Sequence, residues 1–144
     1  MGEAAIREVA QYTQTLGLEF WFETGQETPV TLLRTIEDIG LPNLGVNLDP
    51  ANLILYGKGN PVDALDVLGK WVRDMHAKDG FYPTDGKNLG REVAIGQGKV
   101  DFKALIGGLK KLGFSGRVTI EREISGPEQR KDILASIEYL KPLL

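Results

Sequence analysis

Two patterns of apolar residues alternate along the chain and predict its secondary structure. Short apolar or alternating runs are typical of β-strands, and they occur at about Leu18 to Glu23, Leu44 to Asp49, Trp71 to His76 and Arg117 to Glu121. Apolar residues three and four positions apart are typical of amphipathic helices, and they precede the first strand and follow every strand. This alternation predicts an α/β fold of right-handed βαβ units with a parallel sheet.

Capping residues mark where the helices begin and end. The first helix contains Ile6 and Ala10, and the second begins at Thr28 and Pro29, an N-cap followed by proline at the first helical position. The helices after the first strand are predicted at Thr28 to Gly40, at Pro61 to Lys70, from Asp101 to Gly113, and from about Pro127. The last helix is expected to bury its apolar residues Ile133, Leu134, Ile137 and Leu140.

The alternation of side chains within the strands distinguishes an open sheet from a barrel. One face of the predicted sheet is mainly apolar, and the opposite face carries Glu19, Trp21 and Glu23; Gly45, Asn47 and Asp49; Val72, Asp74 and His76; and Arg117, Thr119 and Glu121. An open sheet covered by helices on both faces favours apolar residues throughout its strands. The pattern therefore predicts a curved sheet with helices outside, and four strands make half of a TIM (β/α)₈ barrel. The longest predicted loops, Lys78 to Val100 and Asp49 to Asn60, follow strand ends, where such barrels build their active sites.

Composition and charge narrow the possible functions. The 144 residues are 42% hydrophobic and 26% charged, which fits one globular domain with a buried core. The net charge of -3 comes without a basic run, so neither nucleic acid nor a membrane is the expected partner. The opening residues resemble neither a signal peptide nor a membrane span, and the absence of cysteine is compatible with a cytoplasmic location. Any metal site must use oxygen and nitrogen ligands.

Each predicted strand ends in a potential metal ligand on the same face. These residues are Glu23, Asp49, His76 and Glu121, separated by 26, 27 and 45 positions, so that one rim of the sheet would bring them together. Three carboxylates and one imidazole suit Mn²⁺, Mg²⁺ or Co²⁺, with Zn²⁺ possible. The alternative interpretation is that His76, the single histidine, is a hydrogen-bonded structural residue and that the carboxylates are solvated strand-end charges.

Five segments in order resemble the motifs of the xylose-isomerase-like barrel family, which contains sugar-phosphate and ketose isomerases and epimerases. They are FETGQETP from Phe22, VNLDPAN from Val46, MHAKD from Met75, GQGKVDF from Gly96 and TIERE from Thr119. The resemblance covers nearly the whole chain but only the second half of the family's barrel. It implies that Glu23 and Glu121 are an acid/base pair next to a sugar carbonyl, and that Asp49 and His76 complete the metal site.

Three further residues are weaker candidates for binding the sugar or sugar phosphate. Asn52, Lys78 and Arg122 lie near the ligand positions in sequence, and Lys78 could reach a phosphate or hydroxyl group, although a surface role is the default for lysine. Gly96-Gln97-Gly98 lacks the lysine and serine or threonine that follow a phosphate-binding loop, and is interpreted as a turn.

Two other functions compete with a sugar isomerase or epimerase. An endonuclease-IV-like phosphodiesterase would need a histidine-rich, multi-metal site, which one histidine does not favour. A catalytically silent half-barrel that binds a ligand or regulates a partner is the second alternative. Half a barrel leaves strand edges open, so either a second copy of the chain, forming a homo-oligomer, or a missing N-terminal half is expected. The sequence specifies neither the sugar and its phosphorylation nor the choice between isomerisation and epimerisation.

Overall fold

The computed structural model of the protein describes residues 2–144. In chain order its helices and strands are α1 (Glu3–Thr15), β1 (Phe20–Glu23), α2 (Pro29–Ile39), β2 (Leu44–Leu48), α3 (Pro50–Leu55), α4 (Ala64–Leu68), β3 (Val72–Ala77), β4 (Asp79–Phe81), β5 (Arg91–Val93), α5 (Phe102–Lys111), β6 (Val118–Ile120) and α6 (Pro127–Leu140). Short 3₁₀ turns follow α4 and α6.

Four of the strands form one parallel sheet in the order β1-β2-β3-β6. The four strands lie side by side in the order in which they occur along the chain, and each crossover between them contains at least one helix, as in a TIM barrel. The predicted fold class is confirmed: the chain forms α/β units that make half of a (β/α)₈ barrel. No helix among residues 2–144 is long and apolar enough to cross a lipid bilayer.

The apolar core lies between the sheet and the helices on its outer face. Leu44 and Val46 of β2 pack in one cluster with Ile36 and Ile39 of α2. A second cluster joins residues of β2 and β3 to α5 through Leu48, Met75, Ala77, Phe102, Leu105 and Leu109. Burial of these residues on one face leaves the opposite face for polar side chains, as the sequence pattern predicts.

The pairing of β2 with β3 contains a register shift that changes the predicted alternation. Val46 pairs with Val72, but the next residue, Asn47, pairs with Asp74, which leaves Arg73 as an extra residue. Val72 therefore packs in the core on the outer face of the sheet. The Arg73 side chain lies on the inner face, over Gly45: a Cβ atom added to Gly45 would be only 2.6 Å from the Cγ atom of Arg73. The prediction that Val72 faces inward is wrong because a β-bulge reverses the alternation at one point.

Two predicted loops contain regular structure. Helix α3 begins directly after β2, with Asp49 as its N-cap and Pro50 in its first turn. The segment predicted as a long loop after β3 contains an antiparallel hairpin, in which Asp79 pairs with Val93 and Phe81 with Arg91. Both elements lie at the carboxyl end of the sheet, so they form part of the walls around the candidate site.

Two helices differ from their predicted form. Helix α4 is shorter than the predicted Pro61 to Lys70. In α6 Leu140 is buried as predicted, but Leu134 and Ile137 are 55% and 44% exposed, and Ser136 is buried instead. The Ser136 hydroxyl donates a hydrogen bond to the carbonyl of Asp132 in its own helix, so its burial leaves no donor unsatisfied. The prediction was wrong for Leu134 and Ile137 because their side chains lie outside the apolar cluster that contains Leu140.

Candidate metal centre

The carboxyl ends of the four parallel strands bring together the four predicted ligands. Glu23 is the last residue of β1, Asp49 follows β2, His76 lies within the end of β3, and Glu121 follows β6. One ligand atom from each of these side chains lies within 4.8 Å of the others. Atoms that each lie about 2.1 Å from one Mg²⁺ ion are at most roughly 4.2 Å from one another. Small side-chain movements would therefore bring all four ligand atoms to coordination distance.

Two atoms of the cluster are buried and lack hydrogen-bond partners. These atoms are Asp49 Oδ2 and His76 Nδ1. His76 Nδ1 lies 2.8 Å from Glu23 Oε1 and 3.6 Å from Glu121 Oε2, without the alignment of a hydrogen bond to either. Buried polar atoms without partners are uncommon in proteins. The carboxylate oxygens and the imidazole nitrogen of the cluster are all electron-pair donors. The four residues therefore fit a divalent cation.

The backbone around Asp49 is fixed by two side chains from neighbouring segments. The Thr24 hydroxyl donates to the Asp49 carbonyl at 2.8 Å and accepts from the Asp49 amide at the same distance. The amide group of Asn52 donates to the carbonyl of Thr24, and the backbone N–H of Asn52 donates to Asp49 Oδ1. These bonds join the ends of β1 and β2 and hold the second carboxylate oxygen of Asp49 toward the cluster.

Lys78 lies beside the ligands rather than at the surface. Its side chain is 2% exposed, and its ammonium group lies 3.6 Å from Asp49, 3.3 Å from Glu121 and 2.9 Å from Glu123. Burial by itself would lower the pKa of Lys78, but the nearby carboxylates of Asp49, Glu123 and Glu121 raise it above its ordinary value. Lys78 is therefore a permanent positive charge that offsets part of the negative charge of the cluster.

The carboxyl groups of the cluster have different acidities. Burial raises the pKa of Asp49 to about 7, against the opposing effect of Lys78. Burial would also raise the pKa of Glu121, but the charge and hydrogen bond of Lys78 lower it below its ordinary value. In the ion-free protein, Glu121 is thus ionised at neutral pH, whereas the Asp49 carboxyl group is partly protonated. A cation that binds to Asp49 would displace this proton.

A cavity of about 420 Å³ opens next to the four ligands. This volume lies within the usual range for small-molecule sites. The polar residues that line it are Glu23, Asn52, Lys78, Glu92, Glu121 and Glu123. Among these lining residues, Lys78 is the single cation, so the cavity combines a strongly negative wall with one fixed positive group.

Arg122 lies apart from the other predicted substrate-binding residues. Asn52 and Lys78 line the cavity, and the amide oxygen of Asn52 accepts a hydrogen bond from the Lys78 ammonium at 3.2 Å. The Arg122 guanidinium is instead paired with Asp132 at 2.7 Å and Glu92 at 3.0 Å. Direct contact of Arg122 with a substrate is not supported, because two carboxylates already hold its side chain. Its position indicates that it joins the β4–β5 hairpin to α6.

Several residues near the centre were missed by sequence reasoning. Thr24 and Glu92 contact predicted residues, and Asp79 fixes the loop that follows the hairpin. Thr24 directly follows a predicted ligand, so its position gave a usable signal. Glu92 had none, because its partner Arg122 is 30 residues away in the sequence.

The substitution Lys78→Met is expected to lower the free energy of unfolding of the ion-free chain by about 3 kcal/mol. Removing the buried ammonium group leaves the negative charges of the neighbouring carboxylates uncompensated. The value is at the lower end of the usual range because Glu121 and Glu123 are partly exposed. Urea denaturation measures the change, with the exposed Lys103→Met as a matched control that should change stability by less than about 0.5 kcal/mol. An equal effect of the two substitutions would show that the ammonium does not compensate the cluster.

Parallel β/α units with clustered ligands at the carboxyl ends of their strands define half of a TIM barrel with a candidate metal centre. The chain belongs to the xylose isomerase-like TIM barrel family, whose sequence profile matches residues 3–143.

Several solved structures share the fold of this chain. A xylose isomerase domain protein from Planctomyces limnophilus is 40% identical, with a TM-score of 0.93 over 98% of this chain and 52% of the other. A xylose isomerase-like TIM barrel protein from Mycobacterium smegmatis, in complex with magnesium, is 18% identical, with a TM-score of 0.75 over 99% and 50%. A D-tagatose 3-epimerase-like protein is 23% identical, with a TM-score of 0.76 over 98% and 54%. The chain spans about half the length of each of these proteins.

Proposed function

We propose that this chain supplies the metal-binding half of a sugar isomerase or epimerase site. The observation that carries the proposal is the convergence of Glu23, Asp49, His76 and Glu121 within 4.8 Å. The cluster lies beside a polar cavity of suitable size for a monosaccharide. The similarity to a D-tagatose 3-epimerase-like protein and to a magnesium-bound protein of the same fold supports both the reaction class and the cation.

The four side chains would hold one divalent ion, Mg²⁺, Mn²⁺ or Co²⁺, with Zn²⁺ also compatible with the donor set. When bound, such an ion polarises a sugar carbonyl and a neighbouring hydroxyl group, which makes the adjacent C–H bond more acidic. Asp49 and His76 serve only as ligands in this proposal. Thr24 and Asn52 hold Asp49 in place through the hydrogen bonds described above.

Glu121 and Glu23 are the proposed proton-transfer groups. Glu121 is ionised, so its carboxylate can remove the proton from the carbon next to the carbonyl, while the electrons of the C–H bond move toward the carbonyl oxygen. For epimerisation, Glu23 would carry a proton when the substrate binds and give it to the opposite face of that carbon, which inverts the carbon. Glu23 is then ionised and Glu121 keeps the abstracted proton, and exchange with solvent would restore both groups. Return of the proton to the former carbonyl carbon, with transfer of the hydroxyl proton, gives isomerisation.

The charge of the cavity favours an unphosphorylated ketose, such as D-tagatose, over a sugar phosphate. Four carboxylates line the cavity in this half of the barrel, and Lys78 is already held by three carboxylates. A phosphate dianion there would meet net repulsion. Lys78 and Asn52 are instead suited to contact sugar hydroxyl groups. A complete barrel needs four further strands, which a second half-barrel would contribute, whether from the same polypeptide or from a second copy.

Stoichiometric Mn²⁺ is expected to bind to the chain and to raise its melting temperature. At a free Mn²⁺ concentration of 100 times Kd the added stability is about 2.7 kcal/mol, which corresponds to a rise of roughly 5–10 °C for a chain of this size. The His76→Ala variant should show a rise of less than about 2 °C at the same concentration, because it lacks the nitrogen ligand. Differential scanning calorimetry with metal analysis measures both quantities.

Glu19→Gln is the matched control for this experiment. Glu19 is a carboxylate of the same inner face, ahead of β1, and it lies near Arg73 rather than in the cluster. The variant should keep the full Mn²⁺-dependent rise. If the well-folded wild-type chain bound no Mn²⁺, the proposed site would be wrong, and a silent half-barrel that binds another ligand would explain the fold better.

A further inference from the structure

The two ring nitrogens of His76 lie in different environments. Nδ1 faces the carboxylates of the cluster, 2.8 Å from Glu23 Oε1. Nε2 faces away from them and lies 3.1 Å from the side-chain amide nitrogen of Asn47. Asn47 belongs to β2, the strand next to β3, and its side chain shares the inner face of the sheet with His76.

A bound cation requires one particular form of the imidazole ring. The nitrogen that faces the cation must offer a lone pair, so Nδ1 must carry no proton and the neutral ring must carry its proton on Nε2. An Nε2–H group needs an acceptor. Among residues 2–144, Asn47 is the hydrogen-bond partner of Nε2 in the structure, so in the metal-binding form its amide oxygen, in place of the nitrogen, would have to face Nε2.

The unsatisfied side-chain oxygen of Asn47 indicates the same orientation of its amide. Asn47 Oδ1 and Asp74 Oδ1 are both buried and accept no hydrogen bond. Asn47 and Asp74 are register partners on adjacent strands, so their side chains start side by side on the inner face. The oxygen and nitrogen of an amide group occupy interchangeable positions. A rotation of the Asn47 amide by half a turn would place its oxygen against Nε2–H, which gives this unsatisfied acceptor a donor.

We propose that Asn47 is a positioning residue that fixes His76 in the form with the proton on Nε2, so that Nδ1 is available to a cation. The role of Asn47 rests on the proposed metal site, whereas the approach of its amide group to His76 Nε2 is present without an ion. Asn47 does not touch the substrate in this role. It acts through His76, as residues behind metal-binding histidines commonly do.

The test uses ¹⁵N-labelled histidine in the ion-free chain, where the single histidine gives one unambiguous pair of ring signals. Protonated and unprotonated ring nitrogens have well-separated ¹⁵N shifts. The measurement is made at about pH 9, above the ordinary pKa of histidine. We expect the wild-type ring to carry its proton on Nε2. In Asn47→Leu, which has a similar volume but no acceptor, the proton should move to Nδ1, next to Glu23.

Two further measurements connect the tautomer to metal binding. Mn²⁺ affinity, measured by calorimetry, should fall about 10- to 100-fold in Asn47→Leu. Asn47→Asp, which keeps an acceptor oxygen, should retain the proton on Nε2 and most of the affinity. A purely structural role for Asn47 would change stability in both variants without moving the ring proton.

Two results of the ¹⁵N measurement would overturn the proposal: a wild-type ring with its proton on Nδ1, or an Asn47→Leu ring unchanged from wild type. An Mn²⁺ affinity of Asn47→Leu within about two-fold of wild type would also overturn it, since the tautomer would then have no effect on the ligand. Failure of the wild-type chain to bind Mn²⁺ is a different outcome. It would refute the proposed metal site, while the ¹⁵N measurement on the ion-free chain would still decide whether Asn47 controls His76.

Discussion

Replacing Asp79 with alanine is expected to lower the free energy of unfolding by about 4–6 kcal/mol, a large part of the total for a domain of this size. The Asp79 side chain is completely buried. Its two oxygens accept hydrogen bonds from four backbone N–H groups, those of Gly80 at 2.8 Å, Gly96 and Gly98 at 2.9 Å, and Val100 at 3.1 Å. Alanine would leave these donors without their acceptor, two of them in buried surroundings. Urea denaturation at 25 °C measures the loss.

Asp101→Ala is the matched control for Asp79→Ala. Asp101 is the exposed N-cap of α5, and its carboxylate accepts one backbone hydrogen bond, from Ala104. Loss of such a cap costs about 1 kcal/mol. Asp79→Asn, which keeps one acceptor oxygen, should fall between the two. If Asp79→Ala and Asp101→Ala had similar effects, the four bonds to the loop would contribute little beyond an ordinary cap.

The expected effect of Asp79 extends to the candidate site. Asp79 opens the hairpin and anchors the segment from Gly96 to Val100 that follows it. The hairpin supplies Glu92 to the wall of the cavity, and Glu92 in turn pairs with Arg122. The buried Asp79 carboxylate thus keeps in place the loop next to the candidate metal centre. This is why a stability change at Asp79 would also loosen the cavity.

The fold could be predicted because the sequence patterns that indicate its strands and helices are local. Strand alternation and helical spacing depend on residues a few positions apart, and Thr28 with Pro29 marks the start of α2 directly. The same rule applies to Asp49 and Pro50 at the start of α3. The six residues of α3 are nevertheless too few to show a helical period, so the apolar pattern alone predicts a loop there.

The candidate ligands could be predicted because they combine two simple regularities. In a parallel sheet the carboxyl ends of all strands meet at one edge, and alternation then selects the inward-facing residue at each end. The contacts around the ligands do not follow from such rules. Asn47 meets His76 from 29 positions away, and Arg122 meets Glu92 from 30 positions away. The bulge at Arg73 also reverses the alternation in β3, which no local pattern marked.

Replacing Glu121 with glutamine is expected to slow proton exchange between a ketose and solvent by about 10²- to 10⁴-fold, the usual contribution of a general base. Glutamine has nearly the same size and keeps a neutral oxygen for the cation, but it cannot accept a proton at neutral pH. Lys78, 3.3 Å from Glu121, keeps the wild-type carboxylate ionised and so ready to accept one. Exchange of the C3 proton of D-tagatose in D₂O, measured by NMR at saturating Mn²⁺, gives the rate.

Glu123→Gln separates proton transfer from the general charge of the cavity. Glu123 lines the same cavity and lies 2.9 Å from the Lys78 ammonium, but it is not one of the four clustered ligands. Its substitution removes the same charge and should slow exchange by less than about 10-fold, since electrostatic effects without proton transfer are smaller at a partly exposed group. Equal losses in the two variants would assign the effect to charge alone. If the Mn²⁺-loaded wild-type chain showed no exchange, this half-barrel would be a binding module that needs its complementary half for catalysis.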